Sequence, residues 1–176
     1  MSEVETKTTV TDDAVRVFNV GPQRRLPAPI YPLFGITRDL WFVDDWTTYF
    51  SPIYTVYDQY WVDPTTREQV SEGLRIAVFF NPLGPSETEI FTFVYTGASV
   101  IERLGLNLLL FPVVRAFVDL EVRRDCAMLE GLADGRTGLE GSTLGRFDKA
   151  LGAARKRIER IYRGKPEGSL PIVSAG

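Results

Sequence analysis

The chain has 176 residues, 44% of them hydrophobic, which is enough for one domain with a sizeable core. Its 20 basic and 23 acidic residues give a net charge of −3, so no basic excess indicates a nucleic-acid partner. One cysteine excludes an internal disulfide and a cysteine-held zinc or iron–sulfur site. The absence of histidine excludes serine–histidine catalysis and any self-contained two-histidine metal site.

The ends of the chain and its apolar runs bear on localisation. Residues 1–13 are polar and lack the apolar segment of a signal peptide. The longest apolar run, residues 104–114, is too short to span a bilayer. We therefore expect a cytoplasmic protein that does not span a membrane, with a flexible tail over 1–13, one domain over 14–164 and a second flexible tail over 165–176.

The first half of the domain has the pattern of an antiparallel sheet. Residues 14–20 alternate between apolar and polar side chains, which predicts an edge strand, and the proline-rich residues 21–32 predict an extended connection. Pro52 interrupts the strand-forming run 47–62, which indicates an edge position, a bulge or two shorter strands. Further strands are predicted over 35–43, 69–80 and 88–96, with turns at 63–68 and 81–87.

The second half of the domain is predicted to be helical. Residues 98–133 have helical periodicity, and Pro112 predicts either two helices or one kinked helix. A glycine-rich loop over 133–145 leads to an amphipathic helix over 147–164 with Gly164 as its C-cap. Together these elements predict an α+β fold in which an antiparallel sheet grips long C-terminal helices. This is a partial helix-grip arrangement, START-like or Bet v 1-like, with a cavity between sheet and helices.

The first of these helical segments carries a carboxylate on its apolar side. Asp125 falls on a stripe of valine and leucine side chains, and Glu121 lies one turn earlier near the same face. Burying an ionised carboxylate is costly unless it is paired or binds a metal. Three interpretations stay open: an ion pair with an arginine or a narrower apolar face, an acid with a raised pKa, or a metal ligand. The stripe consists of Val114, Val118, Val122, Leu129 and Leu132.

The sequence around Asp125 has a recognisable pattern. Residues 118–132 read VDLEVRRDCAMLEGL, with a D-x-x-x-L-E arrangement from Asp125 to Glu130, and residues 144–164 follow a glycine-rich loop. These features resemble the end of the catalytic domain of Rieske non-haem iron oxygenases, the ring-hydroxylating family, and the preceding strands extend the resemblance over residues 35–164. The resemblance implies that Asp125 is the carboxylate ligand of a mononuclear Fe(II) that two histidines also bind.

The chain departs from that family in two respects. It has no Cys-x-His pairs for a [2Fe–2S] cluster and no iron-binding histidines. The resemblance therefore implies one half of a split terminal oxygenase component, inactive alone. A partner polypeptide would carry the Rieske cluster and the histidines, receive electrons from a reductase or ferredoxin, and share its Fe(II) with Asp125 to hydroxylate a small apolar substrate with O₂. Glu121 would hold a water or a partner histidine near the iron, or form a salt bridge with Arg124 or Arg115.

Aromatic and apolar side chains predict the substrate pocket, although such residues more often form core. A helix-grip cavity favours contact between some of them and an apolar substrate. The alternative function is a non-enzymatic START-like module that binds an apolar ligand without metal, and a fragment of an ordinary large subunit is a third interpretation. The expected pocket residues are Tyr54, Tyr57, Trp61, Phe91, Phe93, Phe117 and Val118.

Overall fold

The computed structural model of the chain describes residues 4–26, 28, 30–84, 87–96, 104–105, 107–130 and 148–164. These residues form an α+β structure with a six-stranded antiparallel sheet, in which strands that are neighbours in sequence are neighbours in the sheet. The strands are β1 (Glu5–Val10), β2 (Ala14–Pro22), β3 (Trp41–Phe50), β4 (Ile53–Val62), β5 (Gln69–Gly84) and β6 (Glu87–Thr96). The helices are α1 (Ile30–Phe34), α2 (Asn107–Glu130) and α3 (Lys149–Arg163).

Part of the segment expected as a flexible tail, residues 1–13, forms strand β1. β1 pairs with β2 from Val10 opposite Val15 to the far end of the strand, so β2 is not the edge of the sheet. The Thr11 amide donates to the Ala14 carbonyl at 2.9 Å and the Thr11 hydroxyl accepts from the Ala14 amide at 3.1 Å, which closes the turn. Threonine is a good strand former, so this segment can form an edge strand although it has few apolar residues. Residues 165–176, the other expected tail, lie outside the described residues.

The strand boundaries differ from the sequence-based expectation in two places and agree with it in two others. The strand expected over 35–43 begins only at Trp41. Residues 51 and 52 form a turn between β3 and β4, which confirms the interpretation of Pro52 as a break between two shorter strands. β5 continues to Gly84, beyond the strand expected over 69–80. The turn at 63–68 is confirmed, since the Asp63 carboxylate accepts from two backbone amides in it.

The two faces of the sheet have different surroundings, because side chains alternate along each strand. The face that carries Val15, Val17 and Phe50 is called the inner face. These three residues form an apolar cluster with Ala150 of α3. A second inner-face cluster packs Trp61 against the residues around α1. We call outer the opposite face, which carries the stacked rings of Tyr49, Tyr54 and Phe79. The outer face also carries a small apolar cluster, formed by Val20, Val43 and Val62.

Helix α3 ties the C-terminal part of the chain to the first strands. The Tyr162 hydroxyl donates to the Phe50 carbonyl at 2.7 Å, and the Arg157 guanidinium donates to the Thr11 carbonyl at 2.6 Å. The helix ends at Gly164 with φ of 62°, and the Gly164 amide donates to the Glu159 carbonyl, which confirms the expected C-cap. The contacts of α3 therefore join segments that are more than 100 residues apart.

Helix α2 is continuous through Pro112, so one of the two expected arrangements, a single helix, is the one observed. Pro112 is the sixth residue of the helix and has no amide hydrogen, so it removes the helical hydrogen bond that this position would otherwise donate to the Leu108 carbonyl. In the part of the chain that the structure describes, no helix combines the length and the apolar character needed to cross a membrane.

Candidate functional site

Asp125 lies on α2 with its carboxylate exposed to solvent, not buried on an apolar stripe as expected. Val118 and Val122, which precede it on the stripe, are half-buried. The charge of Asp125 nevertheless acts on the sheet, because it is among the causes that raise the pKa of Tyr57. Asp125 therefore lies within electrostatic range of Tyr57 and is itself exposed to solvent.

Three polar side chains of β3 and β4 form what we call the inner-face polar cluster: Asp44, Tyr57 and Gln59. The Gln59 amide donates to Asp44 Oδ1 at 3.1 Å across the two strands. The Tyr57 ring lies 6.2 Å from that of Trp46, centroid to centroid. The sequence contained a signal for this cluster, since the consecutive residues Asp44 and Asp45 in one strand must point to opposite faces.

Burial and charge act together on the cluster. Burial is the main cause that raises the pKa of Asp44, and the hydrogen bond from Gln59 opposes it. Burial also raises the pKa of Tyr57, and the nearby carboxylates of Asp44 and Asp125 raise it further. Tyr57 therefore stays protonated at neutral pH and can donate a hydrogen bond from its hydroxyl. The cluster offers a protonated phenol beside carboxylates from two different elements of the fold.

An Asp44→Asn variant is expected to be more stable than the wild type at neutral pH, with a difference that vanishes in acid. Burial raises the folded-state pKa of Asp44 above its unfolded value of about 3.9. Between the two pKa values the folded state binds more protons, so stability falls as pH rises through this window. Above the folded-state pKa, the cost of burying the ionised Asp44 carboxylate is fully present. Asparagine never ionises, and its side-chain oxygen can still accept the hydrogen bond from Gln59. Urea unfolding of both proteins across acidic and neutral pH measures the effect, and parallel pH profiles would contradict it.

The predicted pocket residues separate between the two faces. Tyr57 lies on the inner face beside Asp44, and Trp61 lies there too, but Trp61 is only 4% exposed and packs as core against Ile36 and Leu40. Three others, Tyr54, Phe91 and Phe93, lie on the opposite, outer face, so they do not share a surface with Tyr57, and their contact with a substrate stays a prediction. Tyr54 is three residues from Tyr57, and an odd separation along a strand reverses the face.

The remaining predicted residues lie on α2. Val118 is half-buried there. The side chains of Phe117 and Glu121 fall outside the described part of the structure, so the roles expected for them stay predictions. The interpretation of Asp125 as an iron ligand also stays a prediction.

A cleft of about 680 Å³ lies on the outer face and was not expected from the sequence. Two ion pairs line it: Arg16 Nε donates to Asp45 at 2.8 Å, and Arg75 Nε donates to Asp58 at 2.5 Å. In each pair, the arginine on one strand neutralises the charge of the aspartate on the neighbouring strand. The cleft therefore presents paired charges, unlike the inner face, where the carboxylates of Asp44 and Asp125 have no such arginine in the contacts described.

The donor set limits what metal this chain can hold by itself. Within the described ranges, no three acidic or cysteine side chains come together in an arrangement that suits a metal ion. A facial iron site needs two imidazoles and one carboxylate, and the chain has no histidine. The residues present therefore do not fit a complete iron site, and Asp125 fits only its carboxylate position.

Comparison with known proteins gives no further identification. No protein-family model matches the chain, and neither curated proteins nor solved structures show a significant similarity to it.

Proposed function

We propose that the chain is one part of a split Rieske-type oxygenase, completing the substrate pocket and donating Asp125 to an Fe(II) that histidines of a partner polypeptide hold. The pocket would lie between α2 and the inner face of the sheet, in a helix-grip arrangement. The partner would also carry the [2Fe–2S] cluster, which this chain lacks the ligands to bind. The resemblance of residues 118–132 to the end of that family's catalytic domain suggested this assignment.

The observation that carries the proposal is the placement of Asp125. An exposed carboxylate can coordinate a metal ion that a second chain holds, and the described contacts of Asp125 include no ion pair that would have to break first. Its charge also contributes to the raised pKa of Tyr57 on the inner face, which supports a pocket that both residues would border. Tyr57 and Trp46 supply aromatic surface there, and Asp44 and Gln59 supply hydrogen-bonding groups. This combination suits an apolar substrate that is oriented by a polar group.

A second candidate function is a non-enzymatic module that binds an apolar ligand in the same space. It is favoured by the inner face of β5, where the apolar side chains are only half-buried and leave surface for a ligand to cover. These residues are Leu74, Ile76, Val78 and Phe80. Both candidates place the ligand on the inner face, and they differ in whether a metal and a partner are required.

The test is co-expression with a polypeptide that carries two Cys-x-His pairs and the iron-binding histidines. The wild-type complex is expected to contain mononuclear iron as well as the cluster. Asp125→Ala is expected to leave assembly and the cluster intact and to lower the mononuclear iron content at least about tenfold, because one of three protein ligands is lost. Metal analysis and the visible spectrum of the cluster measure the two irons separately.

Asp119→Ala is the matched control, because Asp119 is also an exposed aspartate of α2. It is expected to keep the wild-type iron content. Full mononuclear iron in the Asp125→Ala complex would rule out the proposed ligand. If the isolated chain binds an apolar fluorescent probe without metal, and no complex forms, the binding-module function is the correct one.

A further inference from the structure

The two edges of the sheet differ in chemistry. β1, at one edge, carries Glu5 and Lys7, and Glu5 forms an ion pair with Arg67 at 2.6 Å. Charged side chains of this kind prevent an edge strand from pairing with another chain. β6, at the other edge, pairs only with β5 among the described residues. Among the described residues, the edge of β6 from Ile90 to Thr96 therefore carries neither a charge nor a further strand.

β6 has the composition of a strand that pairs. Residues 90–96 read IFTFVYT and contain no charge, no proline and no glycine. On the outer face, Phe91, Phe93 and Tyr95 are 47%, 51% and 59% exposed. A long apolar edge strand left open is an aggregation hazard, because its backbone groups and its side chains both favour a further strand. A further strand paired with β6 would cover both its backbone groups and its apolar side chains.

We propose that this strand is β6 of a second copy of the chain, so that two sheets join edge to edge about a two-fold axis. The sequence of β6 is self-complementary in the antiparallel register centred on Thr92. Thr92 would face the second copy's Thr92, Phe91 would face the second copy's Phe93, and Ile90 would face the second copy's Val94. Aromatic pairs and threonine pairs are among the favourable cross-strand combinations.

Charge placement supports a second copy as the occupant. In this register Glu89 faces the second copy's Tyr95, so no two glutamates are opposed. A symmetric dimer places the same surface on both partners, and the apolar centre of β6 with acidic residues only at its start meets that requirement.

A second observation comes from the outer face. Tyr49, Tyr54, Phe79 and Phe93 form a continuous row of rings across β3, β4, β5 and β6, with centroid distances of 4.7, 5.2 and 5.9 Å. The row ends at the open edge. Because the second copy's Phe91 would lie opposite Phe93, pairing continues the row of aromatic contacts into the second sheet. Such contacts stabilise neighbouring strands beyond the area that they bury.

Charge substitutions at the exposed positions 91 and 93 test the register without disturbing the buried core. In the F91E/F93E variant, introduced glutamates would oppose one another across the axis, and the dimer dissociation constant is expected to rise on the order of a hundredfold. In F91K/F93E, each introduced lysine would oppose an introduced glutamate of the second copy. This variant is expected to dimerise at least about tenfold more tightly than F91E/F93E. Sedimentation equilibrium of the full chain measures all three constants.

The control is V4E/V10E, which introduces the same charge change at exposed positions of the β1 end of the sheet. It is expected to dimerise like the wild type, and circular dichroism checks that each variant is folded. A wild-type chain that is monomeric at 100 µM overturns the proposal. So does an F91E/F93E protein that dimerises normally, and so does an F91K/F93E protein no tighter than F91E/F93E, since either result places the contact elsewhere.

Discussion

Gly73→Ala is expected to lower the free energy of unfolding by roughly 3 kcal/mol or more. A Cβ at position 73 would lie 1.6 Å from the Gln59 carbonyl oxygen and 2.8 Å from the Tyr60 Cα. Both are backbone atoms of the neighbouring strand β4, so no side chain can rotate away to make room. Relief requires β4 and β5 to separate locally.

The close approach at Gly73 coincides with an irregularity in pairing. The β4–β5 register shifts between Gln59 and Trp61, next to the strand position that Gly73 faces. A glycine inside a strand is typical of such a bulge, since it allows backbone to approach backbone. Gly84→Ala is the matched control, because a Cβ there meets no atom within 4 Å. It is expected to change stability by less than about 0.5 kcal/mol in urea unfolding, and an equal loss in both variants would contradict the steric cause.

Phe50→Ala is expected to lower the free energy of unfolding by about 3–5 kcal/mol, as is usual when a buried phenylalanine is truncated. Phe50 is 0% exposed and lies where the inner face meets α3, in contact with the cluster of Val15, Val17 and Ala150. Removing the ring leaves a cavity that the strands cannot close, because β3 is held between β2 and β4. Thermal or urea unfolding measures the loss.

The control for Phe50→Ala uses a phenylalanine in a different environment. Phe111 on α2 is 62% exposed, so Phe111→Ala removes the same atoms without opening a cavity. It is expected to change stability by less than about 1 kcal/mol, helped by the high helix propensity of alanine. If both truncations cost the same, hydrophobic burial beneath α3 is not what holds the N-terminal strands.

Local sequence signals predicted the local elements well. Pro52 interrupts a strand-forming run, and the structure places a turn there between two strands. Gly164 after an amphipathic stretch predicted the C-cap that forms. β1 was missed because its threonines and charges lack an apolar alternation, although its pairing with β2 depends on backbone groups that every residue carries. The antiparallel α+β class could be predicted from hairpin spacing alone.

The assignment of side chains to faces was harder to predict. In β6, apolar residues occupy positions on both faces, Ile90 and Val94 on one and Phe91 and Phe93 on the other, so periodicity does not say which side faces the helices. The exposure of Asp125 was difficult to predict for a similar reason. A helical stripe shows which residues share one side of a helix, but not whether another element covers that side. The structure adds that Asp125 is exposed and that its charge contributes to the raised pKa of Tyr57.

The long-range attachment of α3 has a consequence for synthesis. Every strand pairs with its sequence neighbour, so the sheet can assemble hairpin by hairpin as the chain leaves the ribosome. The cover for Val15, Val17 and Phe50 comes from α3, however, and the contacts of Arg157 and Tyr162 are made only after nearly the whole chain has emerged. The nascent protein therefore carries an assembled sheet with an uncovered apolar surface until α3 has emerged, and the docking of α3 completes the core.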